Sequence, residues 1–158
     1  MLINYSEYCI NRLINNLKGV VIMLHVFCDA KGSGKTKALI QSANEKVDFS
    51  KGNVVYIDDD NGPLLHLDRR IRFISTEQYN LMDYGSLYGF LCGILSRDYD
   101  INTIYIDGLF NIIDGNVHDA AHLFFNLEKV SRKYDVDFYI SMNVEKDNMP
   151  EFIKKYVA

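Results

Sequence analysis

The chain has no tryptophan, only two prolines and three cysteines, and no apolar run of the length that a membrane-spanning helix needs, about 18 residues or more. The cysteines, Cys9, Cys28 and Cys92, are far apart and odd in number, so they form neither a CxxC pair nor a disulfide framework. These absences argue against a disulfide-stabilised secreted domain and predict no membrane span. With no export signal in the sequence, we expect a cytoplasmic protein with reduced thiols.

An excess of charge of one sign is also lacking. The formal net charge is −4, from 17 basic and 21 acidic residues that are interspersed along the chain. A nucleic-acid-binding domain normally carries a basic face, so nucleic acid is not indicated as a partner. What the chain does have is 158 residues that are 48% apolar, which is enough for one domain with a sizeable core.

The most informative stretch is Asp-Ala-Lys-Gly-Ser-Gly-Lys-Thr, residues 29–36. It follows an apolar run over 20–28 and precedes a helix-forming run over 37–43. Strand, glycine-rich turn, Gly-Lys-Thr and helix form the context of a phosphate-binding loop. Gly32 and Gly34 allow backbone N–H groups to curve around an anion without a Cβ in the way. The stretch therefore predicts a nucleotide site.

The side chains of this loop have distinct predicted roles. Lys35 brings a positive charge to the outer phosphates of ATP or GTP, and Thr36 offers a hydroxyl group to Mg²⁺. The helix after the loop points its positive N-terminal end at the same phosphates. The predicted nucleotide-binding residues are Lys31, Gly32, Ser33, Gly34, Lys35, Thr36 and Lys37.

Asp29 departs from the usual loop pattern, in which a glycine is separated by four residues from the Gly-Lys pair. A carboxylate a few ångström from a phosphate costs on the order of 1–4 kcal/mol at a partly solvated site. Two outcomes are open. Either Lys31 pairs with Asp29 and draws it away from the phosphates, or nucleotide affinity is low until a partner or second subunit completes the site.

Apolar strand patterns alternate with helical patterns along the rest of the chain. The further predicted strands cover 54–57, 70–74, 103–107 and 137–143, and the further predicted helices cover 83–98, 117–134 and a C-terminal stretch from Pro150. This alternation with short connections predicts an α/β fold, with a parallel sheet and helices on both of its faces. We divide the chain into an N-terminal helical extension, 1–22, and a nucleotide-binding domain, 23–158.

Polar residues follow the predicted strands at the edge of the sheet where such folds place their active sites, beyond the carboxyl ends of the strands. Asp107 follows Thr-Ile-Tyr-Ile and is the predicted carboxylate for Mg²⁺, together with Thr36. Asp58 follows Val-Val-Tyr-Ile and is the alternative to Asp107.

This order of loop, helix, acidic strand ends and polar last strand resembles the RecA-like branch of P-loop NTPases. The chain also resembles short stand-alone bacterial P-loop proteins that are labelled twitching-motility ATPase-like. The resemblance implies a three-layer fold and ATP hydrolysis, with Asp60 at the position of the glutamate that acts as general base. It also implies that Asn143, or alternatively Ser141, senses the γ-phosphate. The catalytic residues so implied are Lys35, Asp60, Asp107 and Asn143.

These patterns predict a small ATP-binding protein, a slow Mg²⁺-dependent ATPase whose nucleotide state controls self-assembly or contact with a protein partner. One alternative is a nucleotide-binding interaction protein that does not hydrolyse, since Asp29 and Asp60 both depart from the family pattern. The other is a small-molecule kinase. Such kinases close an arginine-bearing lid over the phosphates, and residues 108–116 contain no arginine or lysine.

Gly85, Gly89 and Gly93 recur every four residues in the helix predicted over 83–98. Each interior glycine costs about 1 kcal/mol of helix propensity relative to alanine. We therefore interpret the glycine stripe as a face where the helix backbone packs closely on the sheet. Contact with a second protomer or a partner is the alternative.

Two further patterns are weaker. His118 and His122 have the spacing of a zinc-binding helix, but no third ligand follows at a recognised spacing, so we interpret them as surface histidines. Arg69, Arg70 and Arg72 form a tight arginine cluster. It is either a solvated strand edge or a source of positive charge for a neighbouring subunit or an anionic partner.

Overall fold

A computed structural model of the chain describes residues 23–157. The predicted N-terminal helical extension, 1–22, lies outside the described residues, as does Ala158. The described chain alternates strands and helices and forms a five-stranded, all-parallel sheet. The predicted α/β class and the predicted parallel sheet are confirmed.

Five strands and five α-helices make up most of the regular structure of residues 23–157. The strands are β1 (Leu24–Cys28), β2 (Asn53–Asp58), β3 (Arg72–Ser75), β4 (Ile101–Ile106) and β5 (Asp137–Met142). The helices are α1 (Lys35–Phe49), α2 (Tyr84–Arg97), α3 (Leu109–Ile112), α4 (Ala121–Tyr134) and α5 (Glu151–Lys154). None of these described helices is long and apolar enough to cross a membrane.

The strand order is β1-β5-β4-β2-β3, so the last strand of the chain lies between the first and the fourth. Cys28 at the end of β1 pairs with Met142 of β5, and Ile106 at the end of β4 pairs with Ile140. The residues that follow β5 therefore lie between the loop after β1 and the residue after β4. The strand β3 lies at an edge of the sheet, because it pairs only with β2.

The side chains of the sheet alternate between two buried cores. On one face, α2, α4 and the shorter helices pack on mainly aliphatic side chains. On the other face, α1 covers a smaller core that is rich in aromatic residues. Residues 54–57 of β2 are completely or almost completely buried, as predicted for a continuous apolar run in a parallel sheet with both faces covered.

A row of stacked aromatic rings crosses the sheet under α1. Tyr56, Tyr105 and Tyr139 occupy the same register position on β2, β4 and β5. The ring centroids of Tyr56 and Tyr105 lie 5.8 Å apart, and those of Tyr105 and Tyr139 lie 4.6 Å apart. Stacked pairs contribute about 0.5–1.5 kcal/mol beyond the burial of their area. The row fixes the relative positions of β2, β4 and β5 close to their carboxyl ends, on the same side of the sheet as the loop after β1.

The glycine stripe of α2 faces solvent and not the sheet. The packed face of α2 consists of Leu87, Leu91 and Leu95. A Cβ atom added to Gly89 or Gly93 would have no neighbour within 4 Å. The predicted close packing of the stripe on the sheet is therefore wrong, because burial of the leucines rotates the glycines outwards.

We expect Gly89→Ala to raise the free energy of unfolding by about 1 kcal/mol, because alanine favours the helix by that amount and the new methyl group meets nothing. Gly52→Ala is the matched control. Its Cβ would lie 2.4 Å from the carbonyl oxygen of Asp100, so this variant should be less stable than the wild type. Urea denaturation measures both effects. If Gly89→Ala lowers the free energy of unfolding instead, the glycine stripe of α2 must be in close contact with other groups.

Candidate functional site

The loop between β1 and α1 places two glycines directly before the N-terminus of a helix. Gly32 and Gly34 have φ angles of 83° and 90°, in the left-handed region that favours glycine. Gly34 is the N-cap residue of α1, and no side chain caps this end of the helix. The first N–H groups of a helix have no partner within it, and they carry the positive end of the helix dipole. The loop therefore has the geometry of an anion site.

Lys35 folds back over the loop. Its Nζ donates hydrogen bonds to the carbonyl oxygens of Asp29 and Ala30, at 2.9 and 2.8 Å, and to Ser33 Oγ at 3.2 Å. Burial lowers the pKa of the Lys35 ammonium group. The three oxygen contacts fix the position of the ammonium group in the loop.

The Asp29 carboxylate is bound to the loop itself. Its Oδ1 accepts a hydrogen bond from the Ala30 N–H at 2.8 Å. Among residues 23–157, no ion pair joins Asp29 to Lys31, so the first of the two outcomes expected for Asp29 is not observed. Asp29 lines a small cavity of about 50 Å³ next to Cys28. The carboxylate thus lies at the edge of the loop without an ion pair, close enough to the Lys35 ammonium group for the two charges to interact.

Three hydroxyl groups donate hydrogen bonds to the carboxylate of Asp107, the residue that follows β4. Thr36 Oγ1 and Ser141 Oγ donate to Oδ1, at 3.2 and 2.7 Å. Tyr56 OH donates to Oδ2 at 2.7 Å. Asp107 is only 4% exposed, so these contacts supply the donors that a buried carboxylate needs. They join α1, β2 and β5 to the end of β4.

No local pattern in the sequence indicated that Tyr56 contacts Asp107. Burial, with the Asp107 charge as a second cause, raises the pKa of Tyr56 far above the range of ordinary conditions, so its hydroxyl remains a donor. The alternation of side chains along a strand does place Tyr105 and Asp107 on one face of β4. That Tyr56 lies beside Tyr105 depends on the pairing of β2 with β4, which local patterns do not reveal.

A cavity of about 740 Å³ opens beside the loop. This volume lies within the range of roughly 300–1,000 Å³ that is typical of small-molecule sites. Most of the predicted site residues line it: Lys31, Gly32, Gly34, Lys35, Thr36, Lys37, Asp107 and Asn143, with Ser141 as well. The cavity wall also includes residues that the sequence did not indicate: Ile40, His66, Gly108 and Asn111.

The acidic residues at the end of β2 and directly after it, Asp58, Asp59 and Asp60, line a neighbouring cavity of about 360 Å³, which shares Thr36 and Asp107 with the larger one. Oxygen atoms of Asp58, Asp59 and Asp60 lie within 4.8 Å of one another. Burial, with smaller contributions from Asp59 and Asp107, raises the pKa of Asp58 to about 8. The hydrogen bond from Thr36 Oγ1 to Asp107 Oδ1 favours Asp107 over Asp58 as the partner of Thr36.

Two predicted site residues lie outside the larger cavity. Ser33 lines the small cavity beside Asp29, and Asp60 lines the acidic one. The Oδ1 atom of Asp60 accepts a hydrogen bond from the Gly62 N–H at 2.6 Å. This contact ties the Asp60 carboxylate to the short 3₁₀ turn Gly62–Leu65. Asp60 therefore has a local structural role in addition to the catalytic role that the resemblance implies.

His118 and His122 do not share one helix. His118 lies in the 3₁₀ turn Val117–Asp119, His122 lies in α4, and both side chains are exposed. Within residues 23–157, the one group of three or more possible metal ligands is the acidic group after β2. The surface location that we predicted for both histidines is confirmed.

Arg70 is engaged within the chain. Its Nη2 contacts Asp48 Oδ1 at 2.6 Å and Asp68 Oδ2 at 2.9 Å, and these groups are largely exposed. Arg72 lies at the exposed start of the edge strand β3. These positions support the strand-edge interpretation of the arginine cluster. A contact of this cluster with a neighbouring subunit or an anionic partner stays a prediction.

Comparisons with known proteins assign no family to the chain. No protein-family model matches it, and no curated protein sequence matches it either. The features of the chain that bear on its function are therefore the loop, Asp107 and the cavity that both line.

Proposed function

We propose that the protein is a P-loop NTPase of the RecA-like branch, which binds ATP or GTP with Mg²⁺ and hydrolyses it slowly. The observation that carries the proposal is the 3.2 Å hydrogen bond from Thr36 Oγ1 to Asp107 Oδ1, which joins residues 71 positions apart. It brings a hydroxyl group of the first turn of α1 beside a buried carboxylate. This pair at a helix N-terminus suits a cation that accompanies bound phosphates.

The residues of the larger cavity fit a nucleoside triphosphate. Lys31, Lys35 and Lys37 line it, and the N-terminus of α1 opens into it. These positive groups offset the charge of a polyanion, and the backbone N–H groups of the loop provide donors to phosphate oxygens. Thr36 and Asp107 would hold the Mg²⁺ ion, which neutralises phosphate charge when bound.

For hydrolysis we assign Asp60 to a water molecule and Asn143 to the terminal phosphate, with Ser141 as the alternative to Asn143. The strand order supports this assignment, because Asn143 follows β5 and β5 lies between the strands that carry the loop and Asp107. The acidic cavity shares Thr36 and Asp107 with the phosphate cavity, which supports a role for Asp60 near the reacting group. The contact of Asp60 with Gly62 supports slow turnover, because it restrains the carboxylate.

The nucleotide state, we propose, controls self-assembly or a contact with a protein partner in the cytoplasm. The 3₁₀ turn Gly62–Leu65 links the acidic cavity to the protein surface. Leu64 and Leu65 in this turn are 51% and 86% exposed. If Asp60 moved towards a terminal phosphate, the turn to which it is hydrogen-bonded would move as well. The exposed side chains of Leu64 and Leu65 would then change position.

The second candidate function is that of a nucleotide-binding interaction protein that does not hydrolyse. The observation that favours it is the Asp60 carboxylate, which is hydrogen-bonded to its own turn and is shorter than the glutamate of the family. Phosphate release from ATP with Mg²⁺ distinguishes the two functions. Turnover that Asp60→Asn abolishes supports the ATPase, and binding without turnover supports the second candidate.

Lys35→Ala should weaken the binding of ATP with Mg²⁺ by roughly 10- to 150-fold, since charged hydrogen bonds contribute about 1.5–3 kcal/mol. Isothermal titration calorimetry measures the effect. Lys51→Ala is the matched control, because Lys51 lies in the turn before β2 and lines none of the three cavities. Absence of nucleotide binding by the wild type at millimolar concentration would refute the proposed function.

Asp107→Asn should reduce the gain in ATP affinity that Mg²⁺ provides, with little change in the affinity measured in EDTA. The reason is that Asp107 would meet the cation and not the phosphates. Asp58→Asn is the matched control, because it makes the same chemical change at the neighbouring strand end. If Asp58→Asn loses the Mg²⁺ dependence and Asp107→Asn keeps it, Asp58 is the metal carboxylate.

Asp29→Gly should tighten nucleotide binding by about tenfold, because a recovery of about 1.4 kcal/mol corresponds to that factor and the Asp29 charge has no compensating ion pair in the described chain. Asp29→Asn keeps a side-chain oxygen for the Ala30 N–H and should give most of the same gain. Weaker binding by both variants would mean that Asp29 contacts the nucleotide or its metal.

A further inference from the structure

Tyr56 is connected to the candidate site through a single contact, the 2.7 Å hydrogen bond from its hydroxyl to Asp107 Oδ2. The Tyr56 side chain is fully buried and lines neither the 740 Å³ cavity nor the 360 Å³ cavity. It therefore cannot touch a ligand in either of them. The Tyr56 hydroxyl therefore reaches the site through Asp107.

The two oxygens of Asp107 are held differently. Oδ1 accepts hydrogen bonds from both Thr36 and Ser141, whereas Oδ2 accepts one, from Tyr56. A carboxylate offers about four acceptor positions, two on each oxygen. One position on Oδ2 is thus left for a cation or for one of its water ligands. With both positions on Oδ1 taken, the carboxylate is not available to bind a cation through both oxygens at once.

Such a carboxylate distinguishes between divalent cations. Ca²⁺ takes six to eight oxygen ligands in flexible geometry and commonly binds both oxygens of a carboxylate. Mg²⁺ is smaller, keeps several of its waters and is typically held by one or two carboxylates. The donors around Asp107 therefore favour Mg²⁺, provided that the orientation of the carboxylate is fixed.

Rigid packing keeps the Tyr56 hydroxyl in place. The Tyr56 ring lies between those of Tyr105 and Phe73, with centroids 5.8 and 6.4 Å away. Removal of a group that hydrogen-bonds to a metal ligand and so orients it typically lowers the metal affinity by about 10- to 100-fold. Tyr56 has the position and the rigidity that such a group requires.

We propose that Tyr56 is a positioning residue: together with Thr36 and Ser141 on the other oxygen, it fixes the orientation of the Asp107 carboxylate and so makes the site select Mg²⁺ over Ca²⁺. The inference rests on the proposed function, because it takes Asp107 to face a cation bound with a nucleotide. It adds a residue outside the cavity and a specificity for the metal.

A pair of matched variants tests the proposal. Tyr56→Phe and Tyr105→Phe each remove one buried hydroxyl from the same row of rings. The Tyr56 hydroxyl is hydrogen-bonded to Asp107, whereas the Tyr105 hydroxyl is hydrogen-bonded to Ser42 Oγ, at 2.9 Å. ATP affinity is measured with Mg²⁺, with Ca²⁺ and in EDTA. For Tyr56→Phe we expect a loss of roughly tenfold with Mg²⁺, a smaller loss with Ca²⁺ and no change in EDTA. Tyr105→Phe should keep the wild-type ratio of Mg²⁺ to Ca²⁺ affinities.

A double-mutant cycle checks the route of the effect. In an Asp107→Asn background, Tyr56→Phe should cause no further loss of Mg²⁺-dependent affinity, because the group on which it acts has lost its charge. A further loss equal to that in the wild-type background would contradict a positioning role, since Tyr56 would then act independently of Asp107.

The outcomes separate this inference from the proposed function. If the wild type binds ATP and Tyr56→Phe keeps its Mg²⁺ and Ca²⁺ affinities, the positioning role is refuted and nucleotide binding stands. If the wild type binds no ATP under any of the three conditions, both fail. Should Tyr56→Phe not fold, 3-fluorotyrosine at position 56 replaces it. Its ¹⁹F resonance should shift with ATP and Mg²⁺ but not with ATP in EDTA, and an unchanged resonance in both would refute the role.

Discussion

The hydrogen bonds that converge on Asp107 are the constraint on which the arrangement of the candidate site depends. Burying a carboxylate costs several kcal/mol unless donors replace the water that it loses. Thr36, Ser141 and Tyr56 supply these donors from three different elements, at 2.7–3.2 Å. If any of α1, β2 or β5 moved, the buried charge would lose a partner, so the need to satisfy one carboxylate fixes the relative positions of all three.

The strand order makes this convergence possible. Because β5 lies between β1 and β4, the Ser141 hydroxyl reaches Asp107 and also accepts the Gly108 N–H at 2.7 Å. The pairing of β2 with β4 on the other side brings Tyr56 within reach. The aromatic row under α1 then holds the same strands at a fixed spacing. The polar site and the apolar row are thus two consequences of one pattern of strand pairing.

Local patterns in the sequence were sufficient to locate the strands, the glycine-rich loop after β1 and the position of Asp107 after β4, because each depends on neighbouring residues. They were not sufficient for Tyr56 and His66, whose places in the site depend on which strands pair and how the loop after β2 folds. The glycine stripe of α2 shows a different limit. Glycines and leucines both recur at the helical period, and the side with more apolar area to bury, residues 87, 91 and 95, packed inwards.

A second buried aspartate shows why the donors to Asp107 matter. Asp137 begins β5 at the opposite end of the sheet and forms a buried ion pair with Lys46 at 3.4 Å. That lysine compensates the charge of Asp137, which suits a structural role. Among residues 23–157, no lysine or arginine forms an ion pair with Asp107, and its described donors are neutral hydroxyl groups. Neutral donors make burial tolerable without cancelling the charge, so a negative charge remains at the cavity that we propose for the cation.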